Sequence, residues 1–101
     1  RIVRSSEYPV SGAKTERLMA LLRLVGASTY VSGPSAKIYL DEHRFSDAGI
    51  SLEYKSYSYP EYPQSWGSFV DGLTILDLVA QCGPESKSYI KSNTPNEVYV
   101  P

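Results

Sequence analysis

The stretch Thr29-Tyr30-Val31-Ser32-Gly33-Pro34-Ser35-Ala36-Lys37-Ile38-Tyr39-Leu40-Asp41 takes a short apolar strand through Ser-Gly-Pro directly into a helix start. Its residue types suit the binding of an anion. Pro34 fits the first helical position, where its fixed φ is already helical and its missing N–H is no loss, and Gly33 permits a sharp backbone turn. The amides of Ser35, Ala36 and Lys37 would then face whatever sits above the strand, a setting that favours a carboxylate, phosphate or sugar phosphate. Lys37 adds a cation and Tyr39 a hydroxyl nearby. The same residues also describe an ordinary capped helix following a strand, and both readings stay open.

Three other groups invite chemical readings. Gly12-Ala13-Lys14-Thr15 resembles the end of a phosphate-binding loop, but Ala13 separates the glycine from the lysine and the Gly-x-x-x-x-Gly-Lys-Thr spacing is missing. Lys14 and Thr15 would lie near a helix start at the end of the first strand, where they either help hold an anion or merely begin the helix. His43 stands between Glu42 and Arg44, with Asp41 and Asp47 close in sequence, yet no Gly-x-Ser-x-Gly elbow accompanies it. A single His beside carboxylates also makes a poor zinc cage. Tyr54, Tyr57, Tyr59, Tyr62 and Trp66 form a dense aromatic group suited to stacking on a sugar or base, or to covering a sheet edge, with Gln64 as its first polar member to test.

The elements that position these groups follow from hydrophobic period and turn chemistry. Arg1-Ile2-Val3-Arg4 reads as a strand ending at Ser5 and Ser6. A helix over residues 14–25 carries Leu18, Leu21, Leu22 and Val25 at helical spacing and stops at Gly26. Residues 28–31 make a second strand, 34–41 a second helix, and 45–48 a short turn halted by Gly49. Ile50, Leu52 and Tyr54 alternate with Ser51, Glu53 and Lys55, which predicts a strand with one buried face, placed at an edge. Residues 57–72 read as one long ordered loop. Thr74 caps a further helix, with Asp77 reaching back and Leu73 paired with Leu78, and Gly83-Pro84 ends it after Cys82. A last short helix spans 84–91, before a polar tail in which Val98, Tyr99 and Val100 are able to dock.

Strand, helix, strand, helix, strand is an α/β pattern, and it predicts a small, mostly parallel sheet with βαβ crossovers, part of a larger domain. The carboxyl ends of the first two strands would then open on one side, gathering Ser6, Ser32, Gly33, Ser35, Lys37 and Tyr39, with Lys14 and Thr15 flanking.

With 101 residues the chain is one domain or part of one. Ten basic residues against eleven acidic ones are scattered, so nucleic acid is set aside as a partner. Cys82, the only cysteine, rules out an internal disulfide and suits a reducing cytoplasm. No apolar run approaches the ~20 residues of a membrane span. The opening strand has no initiator Met before it, which predicts a chain cut from something longer.

Taken in order, Ser5-Ser6, Lys14-Thr15-Glu16, Gly26-Ala27 with Thr29-Tyr30-Val31-Ser32-Gly33, Tyr39-Leu40-Asp41, Ala48-Gly49-Ile50, Pro60-Glu61-Tyr62-Pro63-Gln64, and Leu73-Thr74-Ile75-Leu76-Asp77-Leu78 before Cys82-Gly83 resemble the WbqC-like protein family. That family begins with a His-Gln-Pro segment and an aromatic Pro-Trp-Leu-Gly turn, which this sequence lacks. The resemblance thus implies the C-terminal part of a WbqC-like domain, whose N-terminal half is absent and is its first partner. It also implies a bacterial cytoplasmic protein connected with O-antigen, lipopolysaccharide or other surface-polysaccharide biosynthesis. The function expected on that basis is a transferase binding a small anionic or sugar-nucleotide ligand at the strand–helix corners. The alternative is a non-catalytic ligand-binding or scaffold module of a polysaccharide-assembly system. The residues name neither a cofactor nor a catalytic group.

Overall fold

The computed structural model describes residues 2–99. Their contacts fall into two units, Arg1–Lys55 with Asn96–Pro101, and Ser56–Pro95.

The first unit is built by two helix-to-strand steps that use the same backbone device. Helix α1 (Lys14–Leu24) buries Met19 and Leu22, while Leu18 packs half-buried on the same core. It ends where Gly26 turns left-handed at φ 66; the Gly26 N–H donates to Arg23 O at 3.1 Å and the Ala27 N–H to Leu22 O at 2.9 Å. This paired closure satisfies two orphan carbonyls and aims the chain into strand β1 (Thr29–Ser32). Helix α2 (Glu42–Asp47) ends the same way: Gly49 has φ 66, its N–H donates to Ser46 O at 2.9 Å, and the Ile50 N–H donates to Phe45 O at 2.9 Å. Strand β2 (Ser51–Tyr54) follows at once.

β1 and β2 pair in parallel, from Thr29 opposite Ser51 to Ser32 opposite Tyr54, while strand β3 (Glu97–Tyr99) pairs antiparallel with β2. The order is β1-β2-β3. The core gathers Met19, Leu22, Ala36, Phe45, Ile50, Leu52 and Tyr54, with Phe45 and Leu52 wholly buried. Tyr30 stacks on Phe45 with ring centres 5.7 Å apart.

The class is α/β, but several expectations change. The sheet is mixed rather than mostly parallel, because residues of the tail supply its third strand in the antiparallel sense. β2 is therefore central, not an edge; its polar face arises because Glu53 accepts a hydrogen bond from Asn96 Nδ2 at 3.2 Å beside the added strand. The opening strand is missing over residues 2–4, and Ser5–Glu7 form a 3₁₀ turn. Ile2 is fully exposed and Val3 is exposed, so residues 2–4 bury no apolar face and pair with no neighbouring strand that would make them part of a sheet. Arg1 and Val100 lie outside the described residues. The second helix is only a 3₁₀ segment, Pro34–Ile38, followed by α2, which starts earlier than the turn expected over residues 45–48. Only Ala36 of the 3₁₀ segment is buried, so it has no apolar stripe to extend into a full helix.

In the second unit residues 56–74 contain neither helix nor strand, as the sequence predicts for 57–72. Helix α3 (Ile75–Cys82) begins at Thr74, whose Oγ1 accepts the Leu76 N–H at 3.1 Å. Gly83–Ser88 follow it as a 3₁₀ segment where a separate short helix over 84–91 is expected; Pro84 lacks the N–H that would carry the α3 ladder onward. The Ser86 hydroxyl closes this bend by donating to Gly83 O at 2.6 Å. The segment's two ends clasp one another: the Asn93 N–H donates to Ser58 O at 2.6 Å, and the Ser92 hydroxyl to Ser56 Oγ at 3.1 Å. Among the described residues no helix is long and apolar enough to cross a membrane.

Candidate functional site

The strand–helix corner of the first unit is held together by its own groups. Ser32 ends β1 half-buried, and Gly33 follows with φ −73 and ψ 156, extended backbone that any residue adopts. The Ala36 N–H donates to Gly33 O at 3.1 Å, so this amide is engaged within the turn rather than presented to a ligand. Lys37 pairs with the Glu97 carboxylate of β3 and lies over the Tyr54 ring, 5.0 Å from its centre. Ser35 is exposed, and so is Tyr39, just past the end of the 3₁₀ segment. Ser6 sits in the Ser5–Glu7 turn, Lys14 opens α1 with φ 50, and Thr15 follows it half-buried. Among the described residues no hydrogen bond or ion pair joins Ser6, Lys14 or Thr15 to the corner, because the opening strand that was to align them is missing.

What the corner organises instead is Tyr54. This residue is buried at the end of β2 and donates its hydroxyl to Glu42 Oε1 at 2.8 Å. Burial, then the Glu42 bond, pushes its pKa from 10.0 up to about 12. Tyr54 thus ties α2, β2 and the Lys37 turn together as a neutral phenol.

A small pocket of 320 Å³ beside α1 and α2 has mixed charge, with Glu16, Arg23, Arg44 and Asp47 on its walls. Arg44 already meets Glu16 at 3.7 Å and Asp41 at 3.4 Å, which leaves no excess of positive charge on that side chain. His43 is exposed on α2, and among the described residues no three His, Cys, Asp or Glu side chains gather as a metal cage.

The larger concavity belongs to the second unit. A groove of about 1080 Å³ is walled by the rings of Tyr57, Tyr59, Tyr62, Phe69 and Tyr89 and floored by Leu73, Ile75 and Leu78 at the start of α3. Tyr62 organises it. Its ring meets Phe69 edge-on at 5.3 Å and Tyr89 at 6.1 Å, while its hydroxyl donates to Asp77 Oδ2 at 2.5 Å. Chiefly that bond, and then burial, raises the Tyr62 pKa above its ordinary value, so the phenol keeps its proton. Asp77 lies in the first turn of α3, where the helix dipole favours its charge.

Gln64 fixes the loop that carries Tyr62. Its amide grips the Val70 backbone from both sides, Nε2 donating to Val70 O at 3.0 Å and Oε1 accepting the Val70 N–H at 2.9 Å. Nε2 also reaches Asp77 Oδ2 at 3.4 Å. The Pro60-Glu61-Tyr62-Pro63-Gln64 segment is thus set on α3 by one carboxylate. Asp77 was expected as a helix cap; the structure uses its side chain across fifteen residues of sequence instead. Phe69 and Tyr89 carry no local signal of site membership, since folding alone brings them to Tyr62. Trp66, singled out with the tyrosines, is exposed and does not line the groove.

Chemically, the groove combines aromatic and aliphatic surface with two exposed carboxylates, Glu61 and Asp71, which can accept hydroxyl or amine protons.

The "Uncharacterized protein Rv1507c" of Mycobacterium tuberculosis is 39% identical over 92 residues, which are 90% of this chain and 40% of that protein. The chain therefore spans less than half the length of this relative. No solved structure matches it. The WbqC-like protein family model matches residues 1–89, most of the chain, and the chain belongs to the WbqC-like protein family.

Proposed function

We propose that this chain forms the saccharide-binding part of a cytoplasmic transferase of bacterial surface-polysaccharide biosynthesis, of the O-antigen or lipopolysaccharide kind. The observation that carries the reading is the groove of residues 57–90, in which Tyr62 is locked by Asp77 between Phe69 and Tyr89. Rigid aromatic faces beside carboxylate acceptors match the alternating C–H faces and hydroxyl edges of a pyranose. The anion-binding role expected of Ser32, Gly33, Ser35, Lys37 and Tyr39 has weaker support, since Lys37 is already paired with Glu97. The glycosyl portion of a donor or acceptor, rather than its phosphate, is what this chain is suited to hold.

The second reading, a non-catalytic binding module of a polysaccharide-assembly system, is favoured by the engagement of the Tyr62 hydroxyl, whose proton is already held by Asp77. Saturation-transfer NMR with methyl hexosides tests the shared claim: contacts are expected with the native chain and lost in Tyr62→Ala, while Trp66→Ala retains them. No hexoside contact in the native chain would remove both readings. Turnover of an activated sugar by a full-length family member, absent in its Tyr62→Ala variant, separates the transferase from the module.

A further inference from the structure

We propose that the saccharide held in the residues 57–90 groove is a cation, an amine-bearing sugar whose ammonium group is free. The inference rests on the saccharide reading above and adds the sign of the ligand's charge. Two of the lining residues are ionisable acids, Glu61 and Asp71, and none of the described residues lining the groove is Lys, Arg or His. Both carboxylates are exposed and lie within reach of a ligand in the groove. The surrounding unit has the same bias, with Glu61, Asp71, Asp77 and Glu85 against Lys87 and Lys91.

The ring walls act in the same direction. Tyr57, Tyr59, Tyr62, Phe69 and Tyr89 line the groove, and an aromatic ring met on its face offers the negative part of its quadrupole, which attracts an ammonium ion and repels a phosphate. Tyr62 strengthens this polarity, because its hydroxyl proton is directed to Asp77 and only its oxygen lone pairs remain on offer. A nucleotide diphosphate placed here would meet two carboxylates and five electron-rich rings with no cation among the lining residues. A protonated amine on a pyranose meets carboxylates and aromatic rings without a competing cation. N-acetylation would remove the charge while keeping the ring, so the groove distinguishes a free amino sugar from its acetylated form.

The test measures, by calorimetric or NMR titration at about pH 6 and low ionic strength, where an aliphatic amine is protonated, the affinity of the chain for methyl glucosaminide, methyl glucoside and methyl N-acetylglucosaminide. The amine-bearing glycoside is expected to bind roughly tenfold more tightly than either neutral one, and added salt should narrow the gap. The isosteric, exposed-site variants Glu61→Gln and Asp71→Asn should each reduce that preference, and the double variant should abolish it, bringing the amine-bearing glycoside to the affinity of the neutral ones. Equal affinity for all three glycosides would overturn the charge assignment and leave the saccharide reading standing. Binding of none of them would overturn the saccharide reading itself. A preference that survives the double variant would show that Glu61 and Asp71 are not its source, and would also overturn the proposal.

Discussion

The two units use similar apolar material in opposite ways. In the first, seven apolar residues from α1, the Pro34–Ile38 turn, α2 and β2 close into one buried cluster. In the second, Leu78 and Ser86 alone are buried among the described residues, whereas Val70, Leu73, Ile75, Leu76, Val79 and Ile90 remain exposed. The difference lies in period. Leu18, Met19, Leu22 and the alternating Ile50, Leu52, Tyr54 place apolar groups on one face of regular elements, so the faces can seal. Residues 57–72 carry their rings on irregular backbone, which holds itself by side-chain hydrogen bonds to α3 and leaves a groove. The first unit's apolar faces seal into a core; the second unit's aromatic wall stays open.

The sharpest way to break the contrast is Phe45→Ala. Phe45 is wholly buried against Tyr30, so its loss should cost about 3–5 kcal/mol in denaturant unfolding, while the exposed Trp66→Ala should cost less than about 0.5 kcal/mol. A similar loss from both would erase the distinction between core and wall.

Next comes alkali. Tyr54 holds its proton to about pH 12 when folded and to about 10.0 when unfolded. Its stabilising contribution is complete below pH 10, and declines as pH rises from 10 to 12 because the unfolded chain releases the proton first. Melting temperature should fall across that window, and less steeply in Tyr54→Phe. An identical alkaline fall in both proteins would dissociate Tyr54 from it.

Asp77→Ala acts on the second unit. Removing the charged acceptor of Tyr62 and Gln64 should cost about 1–2 kcal/mol at this half-exposed site. Ultraviolet titration should show the Tyr62 pKa falling back toward its ordinary value. Loss of stability without that change would mean that Asp77 acts only through the helix.

The smallest effects test the turns. Gly49→Ala meets nothing within 4 Å, so only its φ of 66 opposes the substitution, at about 1 kcal/mol. Thr74→Ala should cost about 1 kcal/mol through the lost Leu76 cap. A neutral Gly49→Ala would indicate that the left-handed closure of α2 is dispensable.

Local chemistry made part of this legible. The leucine spacing of α1, the stops at Gly26 and Gly49, the alternation of β2 and the Thr74 cap are each decided within a few residues, and the structure shows them. The aromatic loop was visible as composition, and Gln64 as its polar member, but the groove was not: Tyr62 meets Tyr89 and Asp77 only after α3 folds back on the loop. The corner at Ser32-Gly33-Pro34 was legible as a turn, but the pairing of its Lys37 was not. Its outcome depends on Glu97, sixty residues beyond Lys37.

The amino-acid order by itself determined the α/β class, the family and the ends of its principal helices, because caps, breakers and hydrophobic period act through neighbouring residues. Only the tertiary structure decided that β3 joins β2 antiparallel, that the opening residues form no strand, and that Lys37 is neutralised by Glu97. Pairing between distant segments depends on which partners close the core with satisfied backbone groups, and no local window contains that competition.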